Sequence, residues 1–522
     1  MSNSKSTSDS TSKSAAKTAS KSTGKSAGSA KSAKNDKSEG SEKKKKLKVL
    51  SAVSEVVPFI ATGGMGQVAG ALAGALARSR RGIDMRVVAP FYAAFRNRYE
   101  PQMKFLGEAW VKLAWRSVYC GVFEIKQGGV TYYFVDNRHY FDRHSAYGYM
   151  DDGERFAYFS KAVFEVIKLT GFVPDVIHAH DWQTALVPIY AKTRFSDEFE
   201  GIKTVYTIHN MEYQGKYARD ILTDVFDLNA EEAGLVEYDD CINLMKGAIV
   251  CSDRLTTVSP SYAEEIQKDG GYGLESIIAE NAYKLSGIIN GIDTKYYNPE
   301  TDPLLNMNYS ADTLDNKAVN KTKLQELFGL PEEPRKMLIS VVSRLVEHKG
   351  LDLVTYMMND LLKLDIQFLL LGTGNHDYEL FFQERAMECP EKVGVSISFS
   401  PELAAKIYAG TDVMLVPSHS EPCGLTQMIS CRYGTIPIVR KTGGLGDTIR
   451  DCRTGEGNGF VFEEYDADML LDTITQALDL YTNREEDWKN LMREAMKCDF
   501  SWHISARAYA DIFEGLRGVV ES

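Results

Sequence analysis

From residue 47 onward the chain alternates short apolar, β-branched runs with longer stretches of helical periodicity. The first series of runs covers residues 47–53, 85–89, 130–135, 175–178, 203–208 and 255–258. A second series covers 337–342, 366–371, 393–399, 413–416, 436–439 and 460–462. Continuous apolar strands separated by helices predict parallel sheets covered on both faces. Twelve such strands exceed one ordinary open sheet, so the pattern predicts an α/β chain with two facing, doubly wound Rossmann-like domains. The expected organisation is a tail over 1–46, a first domain over 47–300, a linker over 301–334 marked by Pro303, Pro331 and Pro334, and a second domain over 335–522. The last helix is expected to cross back onto the first domain.

Composition narrows the class. The 522 residues are 44% apolar and 25% charged, and no run approaches the roughly 18 uncharged apolar residues that would span a bilayer. A membrane protein, a collagen and a coiled coil are excluded. Eight Cys without a C-x-x-C pair suggest neither a disulfide framework nor a zinc cage, so a reducing cytoplasm is the expected location.

The net charge of −12 conceals an asymmetry. Residues 1–46 hold twelve Lys against four acidic residues, net +8, which leaves −20 on the remainder. So acidic a body argues against a nucleic-acid partner. The Ser- and Lys-rich tail has no aromatic or β-branched aliphatic residue with which to form a core, and no apolar segment of a secretory signal. It is expected to be disordered and solubilising.

The chemistry gathers where apolar runs end. Thr62-Gly63-Gly64-Met65-Gly66-Gln67 and Thr442-Gly443-Gly444-Leu445-Gly446-Asp447 each follow a predicted strand and precede a helix. Such turns let a ligand approach backbone N–H groups. Arg344 and Lys349, five apart after the 337–342 run, can both reach a diphosphate. Glu421, in Ser420-Glu421-Pro422-Cys423-Gly424-Leu425-Thr426-Gln427, is placed to accept hydrogen bonds from sugar hydroxyls. His178-Ala179-His180-Asp181-Trp182 and Ile208-His209-Asn210 end two further runs. They suit a sugar-contacting cluster, with a metal-dependent hydrolase as the competing reading. Asp466-Ala467-Asp468 reads as a helix N-cap rather than a metal-nucleotide motif.

Taken together these segments resemble the bacterial glycogen synthase and plant starch synthase family, glycosyltransferase family 5, over about 47–516. The most specific stretches are His178 to Trp182, Tyr206 to Asn210, Thr257 to Pro260, Ile289 to Asp293, Val342 to Leu345 with Lys349 to Asp352, Glu421 to Gln427 and Lys441 to Leu445. The resemblance implies the GT-B architecture and a retaining transfer of glucose from ADP-glucose, with UDP-glucose the alternative donor, to the non-reducing end of an α-1,4-glucan. It implies no cofactor, no metal and no membrane partner.

It assigns catalysis to His180, Glu421, Arg344, Lys349 and Asp151. Donor binding falls to Gly63, Gly64, Arg344, Lys349, Glu421, Cys423, Gly424, Leu425, Thr426, Lys441, Thr442, Gly443, Gly444 and Leu445. Acceptor binding falls to Asp151, His180, Asn210 and Tyr213. Two positions depart from the family's Lys-Thr-Gly-Gly-Leu-x-Asp loop, Ala61 for its Lys and Gln67 for its Asp. A glucan-binding pseudoenzyme is therefore a competing expectation.

Overall fold

Each of the twelve apolar runs forms a strand in the computed structural model, which describes residues 46–518. The expected tail lies, but for its last residue, outside them. In chain order β1 (Leu47–Ala52), β2 (Ile83–Pro90), β3 (Lys104–Leu113), β4 (Arg116–Gln127), β5 (Val130–Asp136), β6 (Val176–His180) and β7 (Lys203–Ile208) come first. Three short strands follow, β8 (Lys216–Tyr217), β9 (Glu237–Tyr238) and β10 (Cys241–Asn243), and then β11 (Arg254–Thr257) and β12 (Leu285–Gly287). The second series is β13 (Met337–Val342), β14 (Ile366–Gly372), β15 (Val393–Ile397), β16 (Val413–Val416), β17 (Ile436–Arg440) and β18 (Phe460–Phe462).

Two large sheets result. The first has the order β12-β11-β7-β6-β1-β2-β5-β4-β3 and the second β15-β14-β13-β16-β17-β18, while β8, β10 and β9 form a small third sheet. Burial explains the apolar runs: five of the six residues of β1 and all seven of β14 are buried, as strands covered on both faces must be. In each sheet the strand order reverses beside the first strand of its series, between β6 and β1 and between β13 and β16. Open parallel sheets bind ligands at the carboxyl ends of the strands flanking such a switch point.

One expectation needs correction. The first sheet is not wholly parallel, because β3 pairs antiparallel with β4 and β4 with β5. These edge strands were missed because they alternate; Lys104–Leu113 has exposed and half-buried positions along most of its length. One solvated face removes the continuous apolar run that marks a buried strand. Asp466 does cap a helix, Ala467–Asn483, accepting the Met469 N–H at 2.9 Å. No helix among the described residues is long and apolar enough to cross a membrane.

The C-terminal helix Trp502–Gly518 returns to the first sheet. Arg81 pairs with Asp511 and Glu514, and the rings of Tyr509 and Phe513 lie 5.4 and 5.5 Å from that of His178. The stretch 301–334 contains the helix Lys317–Leu327, and two of its lysines, one turn apart, are buried. Lys317 Nζ donates to the carbonyls of Tyr408 (3.1 Å), Ala409 (2.9 Å) and Tyr433 (3.2 Å) and to Thr435 Oγ1 (2.8 Å). Lys321 Nζ reaches Asp412 at 2.6 Å and the Lys336 carbonyl at 2.7 Å.

Burial pushes the Lys317 amine down to about 7. Replacing it by Met keeps the stem's volume but strands buried acceptors, so Lys317→Met is expected to destabilise the fold by about 2–4 kcal/mol. Calorimetry would show this as a lower unfolding midpoint. An unchanged midpoint would mean that those carbonyls find other donors.

Candidate functional site

The first wall of the cleft starts where β1 ends. Glu55, 2% exposed, accepts the Thr62 N–H at 2.5 Å, the Thr62 hydroxyl at 2.7 Å and the Gly66 N–H at 3.2 Å. Burial raises its carboxyl above the ordinary range in spite of these bonds. The clamp holds the Gly-rich turn against the start of the helix Gly64–Arg78, whose N-cap Gly63 offers no side-chain hydrogen bond. A Cβ at Gly63 or Gly64 would meet nothing within 4 Å. An anion can therefore approach the N–H groups of this helix start.

The second wall comes from the carboxyl ends of β13 and β16. Lys349 Nζ donates to Glu421 Oε2 at 2.6 Å, and Ser418 Oγ donates to the same oxygen at 3.1 Å. Both charged side chains are mostly buried, with 16% and 12% exposed. Burial and then the adjacent Lys349 charge hold His348 below the ordinary imidazole range.

The cleft between the walls has a volume of ≈ 770 Å³. Of the residues expected from sequence, Gly63, Gly64, Asn210, Tyr213, Arg344, Lys349, Glu421 and Cys423 to Thr426 all line it. Its charges are segregated. Among the lining residues the first wall contributes Glu55, Asp152, Asp181 and Glu212 but no Lys or Arg, while both strong cations, Arg344 and Lys349, lie on the second. Ala61 and Gln67 are exposed and outside the lining, so the two departures leave this arrangement intact.

Three groups of expected residues lie off the lining. Lys441, Thr442, Gly443, Gly444 and Leu445 do not line the cleft. Lys441 pairs with Glu463, and the Gly443 N–H is taken by Glu265 at 2.7 Å. The Gly444 N–H donates to the carbonyls of Glu421 (3.1 Å) and Pro422 (3.2 Å). The turn is thus a bed for the Glu421 loop. A Cβ at Gly443 would fall 2.2 Å from the Glu421 carbonyl oxygen, and one at Gly444 2.3 Å from that of Cys423. Close backbone approach requires glycine at both positions.

Asp151 is the second such group. It sits at the rim, paired with Arg143 at 2.8 Å, while its neighbour Asp152 faces the cleft.

His180 is the third. It is 1% exposed and lies behind the lining, and His209 is the imidazole on the wall. His180 Nε2 is 3.1 Å from Ser51 Oγ and its Nδ1 3.0 Å from His209 Nε2, while the Thr184 hydroxyl donates to its carbonyl at 2.7 Å. His178 is bonded to Thr207 at 2.6 Å. Among the described residues no three His, Cys, Asp or Glu side chains converge as a metal cage requires. Sequence reasoning missed Glu55 and Glu265, whose partners lie 7 to 178 positions away, and Ser418, three positions before Glu421.

The imidazole cluster predicts acid lability. Burial holds His178 down to about 3 and His209 down to about 4, with His180 well below its ordinary value. The unfolded chain protonates these rings near 6.5 and therefore binds more protons than the fold as pH drops. Stability falls accordingly. Asp181, which burial pushes up to about 7, opposes the trend because the fold binds its proton first. Three imidazoles against two raised carboxyls, Asp181 and Glu55, leave between one and two net protons, so stability is expected to fall by about 1–3 kcal/mol per unit between pH 6 and 5. Urea unfolding at the two pH values would show it. Equal midpoints would mean that the cluster is charged in the fold.

Comparison with known proteins now bears on this geometry. The family model of the starch synthase catalytic domain matches residues 48–280, and that of glycosyl transferases group 1 matches 322–495. The glycogen synthase of Bacillus cereus (strain B4264) is 45% identical over 471 residues, covering 89% of this chain and 98% of that one. That of Geobacillus stearothermophilus is 47% identical over 472 residues, covering 89% and 96%. The catalytic domain of starch synthase IV from Arabidopsis thaliana, solved bound to ADP and acarbose, superposes with a TM-score of 0.84 at 33% identity, covering 91% of this chain and all of that one. Sucrose-phosphate synthase from Thermosynechococcus elongatus, at 16% identity and TM-score 0.58, shares the fold alone.

Proposed function

This chain belongs to the glycogen and starch synthase family, and from that membership we propose that it transfers glucose from ADP-glucose to the non-reducing end of an α-1,4-glucan with retention of configuration. It is a glucan synthase of the GT-B fold, with a nucleotide sugar and a glucan as its substrates. The adenine donor is supported by the Arabidopsis neighbour, which was solved with ADP and acarbose. The observation that carries the reading is the buried Lys349–Glu421 pair facing the Gly63-Gly64 helix start across one cleft. All eight cysteines are free thiols, which supports a reducing compartment.

In this reading the half from 335 onward holds the donor and residues 47–300 receive the glucan. Arg344 and Lys349 face the diphosphate. As the glycosidic bond breaks, charge builds on the departing phosphate, and cations already in place stabilise that charge without reorganising. Glu421, oriented by Lys349 and Ser418, accepts hydroxyls of the donor glucose. Backbone N–H groups of Cys423 to Thr426, and of Gly63 and Gly64 across the cleft, complete the cradle.

The carboxyl groups of the first wall suit neutral sugar hydroxyls. His180 acts as a positioning residue that fixes the ring of His209 through their shared hydrogen bond. Asn210 and Tyr213 contact the acceptor, and Asp151 steadies the rim beside Asp152. No side chain is assigned as a covalent nucleophile, in keeping with same-face transfer through an ion pair.

The test is transfer of labelled glucose from ADP-glucose and UDP-glucose, in parallel, onto glycogen in EDTA. Incorporation from ADP-glucose at least ten times faster is expected. Preference for UDP-glucose would overturn the donor assignment, and incorporation from neither would overturn the synthase reading.

A further inference from the structure

Two short helices meet beside the Glu421 loop. Pro260–Glu265 follows β11 of the first sheet, and Gly443–Thr448 follows β17 of the second. The start of a helix leaves N–H groups without partners inside the helix, and a carboxylate is favoured there. Here each helix supplies the carboxylate that the other needs. Glu265 accepts the Gly443 N–H at 2.7 Å and the Thr442 hydroxyl at 3.3 Å, while Asp447 accepts the Ser261 N–H at 2.8 Å and the Ser261 hydroxyl at 2.7 Å. The bonds are reciprocal and join the two halves of the chain.

The first of these helices also holds one loop from each wall of the cleft. Ser259, fully buried, accepts the Tyr262 N–H at 3.2 Å and donates its hydroxyl to the Pro422 carbonyl at 2.6 Å. Pro422 lies between Glu421 and Cys423 in the cleft lining. On the other side the buried Tyr262 hydroxyl accepts the Met211 N–H at 3.1 Å, next to Asn210 on the first wall. The helix start is seated on the first sheet, because a Cβ at Gly287 of β12 would fall 2.3 Å from the Ser259 carbonyl oxygen. One turn of helix therefore brackets both walls.

The cations and the carboxylate that take the donor stand on the second wall, whereas the glucan is received on the first. Transfer requires the reacting atoms to be held about 3–3.5 Å apart, and a misplacement of about 1 Å can cost 10²-fold. We propose that Glu265 is a positioning residue for transfer, which with Ser259 and Asp447 pins the Glu421 loop to the glucan-receiving wall and so sets the approach of the two substrates. The inference rests on the synthase reading and adds to it the contact that keeps the two walls in register. Donor binding and transfer should then respond differently when the bracket is cut.

The experiment measures kcat with ADP-glucose and glycogen, and the Kd of ADP by calorimetry, in the full chain and in Glu265→Ala and Glu265→Gln. Glu265→Ala is expected to lower kcat at least tenfold while the Kd of ADP stays within threefold. Glu265→Gln keeps an oxygen that can accept the Gly443 N–H, so kcat should recover to within threefold of the parent. A kcat unchanged in Glu265→Ala would overturn the bracket. So would a Kd of ADP that weakens in step with kcat, which would make Glu265 a prop of the donor loop alone, and so would a Glu265→Gln variant as slow as Glu265→Ala. A parent that binds ADP but transfers glucose from neither nucleotide sugar would overturn the synthase reading and the bracket's role together, whereas an active parent with an equally active Glu265→Ala would overturn the bracket only.

Discussion

Replacing Lys349 by Ala is expected to lower kcat about 10³-fold while leaving the chain folded. The ammonium has two roles in this cleft: it faces the space assigned to the departing diphosphate, and at 2.6 Å it fixes the Glu421 carboxylate. Losing one preorganised donor at a site of developing charge typically costs 10²- to 10³-fold. Here the loss also leaves Glu421 buried without its cation, held only by the Ser418 hydroxyl at 3.1 Å. The larger end of that range is therefore expected, in kcat more than in donor KM. Glu421→Ala should fall comparably. Steady-state rates alongside an unfolding midpoint would separate lost chemistry from lost fold. Rates within tenfold of the parent in either variant would mean that the donor lies elsewhere.

Gly444→Ala should cut kcat/KM by about 10²-fold although residue 444 touches no substrate. The added Cβ would lie 2.3 Å from the Cys423 carbonyl oxygen and 2.4 Å from its Cα, both backbone atoms that cannot rotate aside. The loop from Glu421 to Thr426 must shift by about 1 Å, and a displacement of that size at a reacting centre can cost 10²-fold. Gly446→Ala, in the same short helix, is the control, since its nearest neighbour would be Lys441 Cγ at an ordinary 3.5 Å. It should retain activity within about twofold. Equal activity in the two variants would show that the turn does not support the Glu421 loop.

These two expectations were unequally legible in the sequence. Lys349 and Glu421 could be singled out because each follows an apolar run that could only be a buried parallel strand, and the ends of such strands face the ligand crevice. The second Gly-rich turn looked like the first, and both were read as phosphate cradles. The sequence shows that a glycine is needed there, not which neighbour makes it necessary. At Gly63 the neighbour is open space, and at Gly444 it is the Cys423 backbone.

The sequence by itself determined the α/β class, every strand of the second sheet and the central strands of the first, the bend points where chemistry gathers and the family. Apolar runs of the right length and spacing carry that information locally, and so does a helix cap such as Asp466. The antiparallel β3 and β4 escaped because a half-solvated strand has no continuous apolar run. Only the tertiary structure decided that His209 rather than His180 reaches the cleft, that Asp152 rather than Asp151 faces inward, and that Glu265 rather than a ligand takes the Gly443 N–H. The first and last depend on an approach between segments 29 and 178 residues apart, and the second on the local Arg143–Asp151 pair. Residue type and spacing fix which groups sit at a strand's end, whereas packing across the two sheets fixes which of two adjacent side chains is turned toward the substrate.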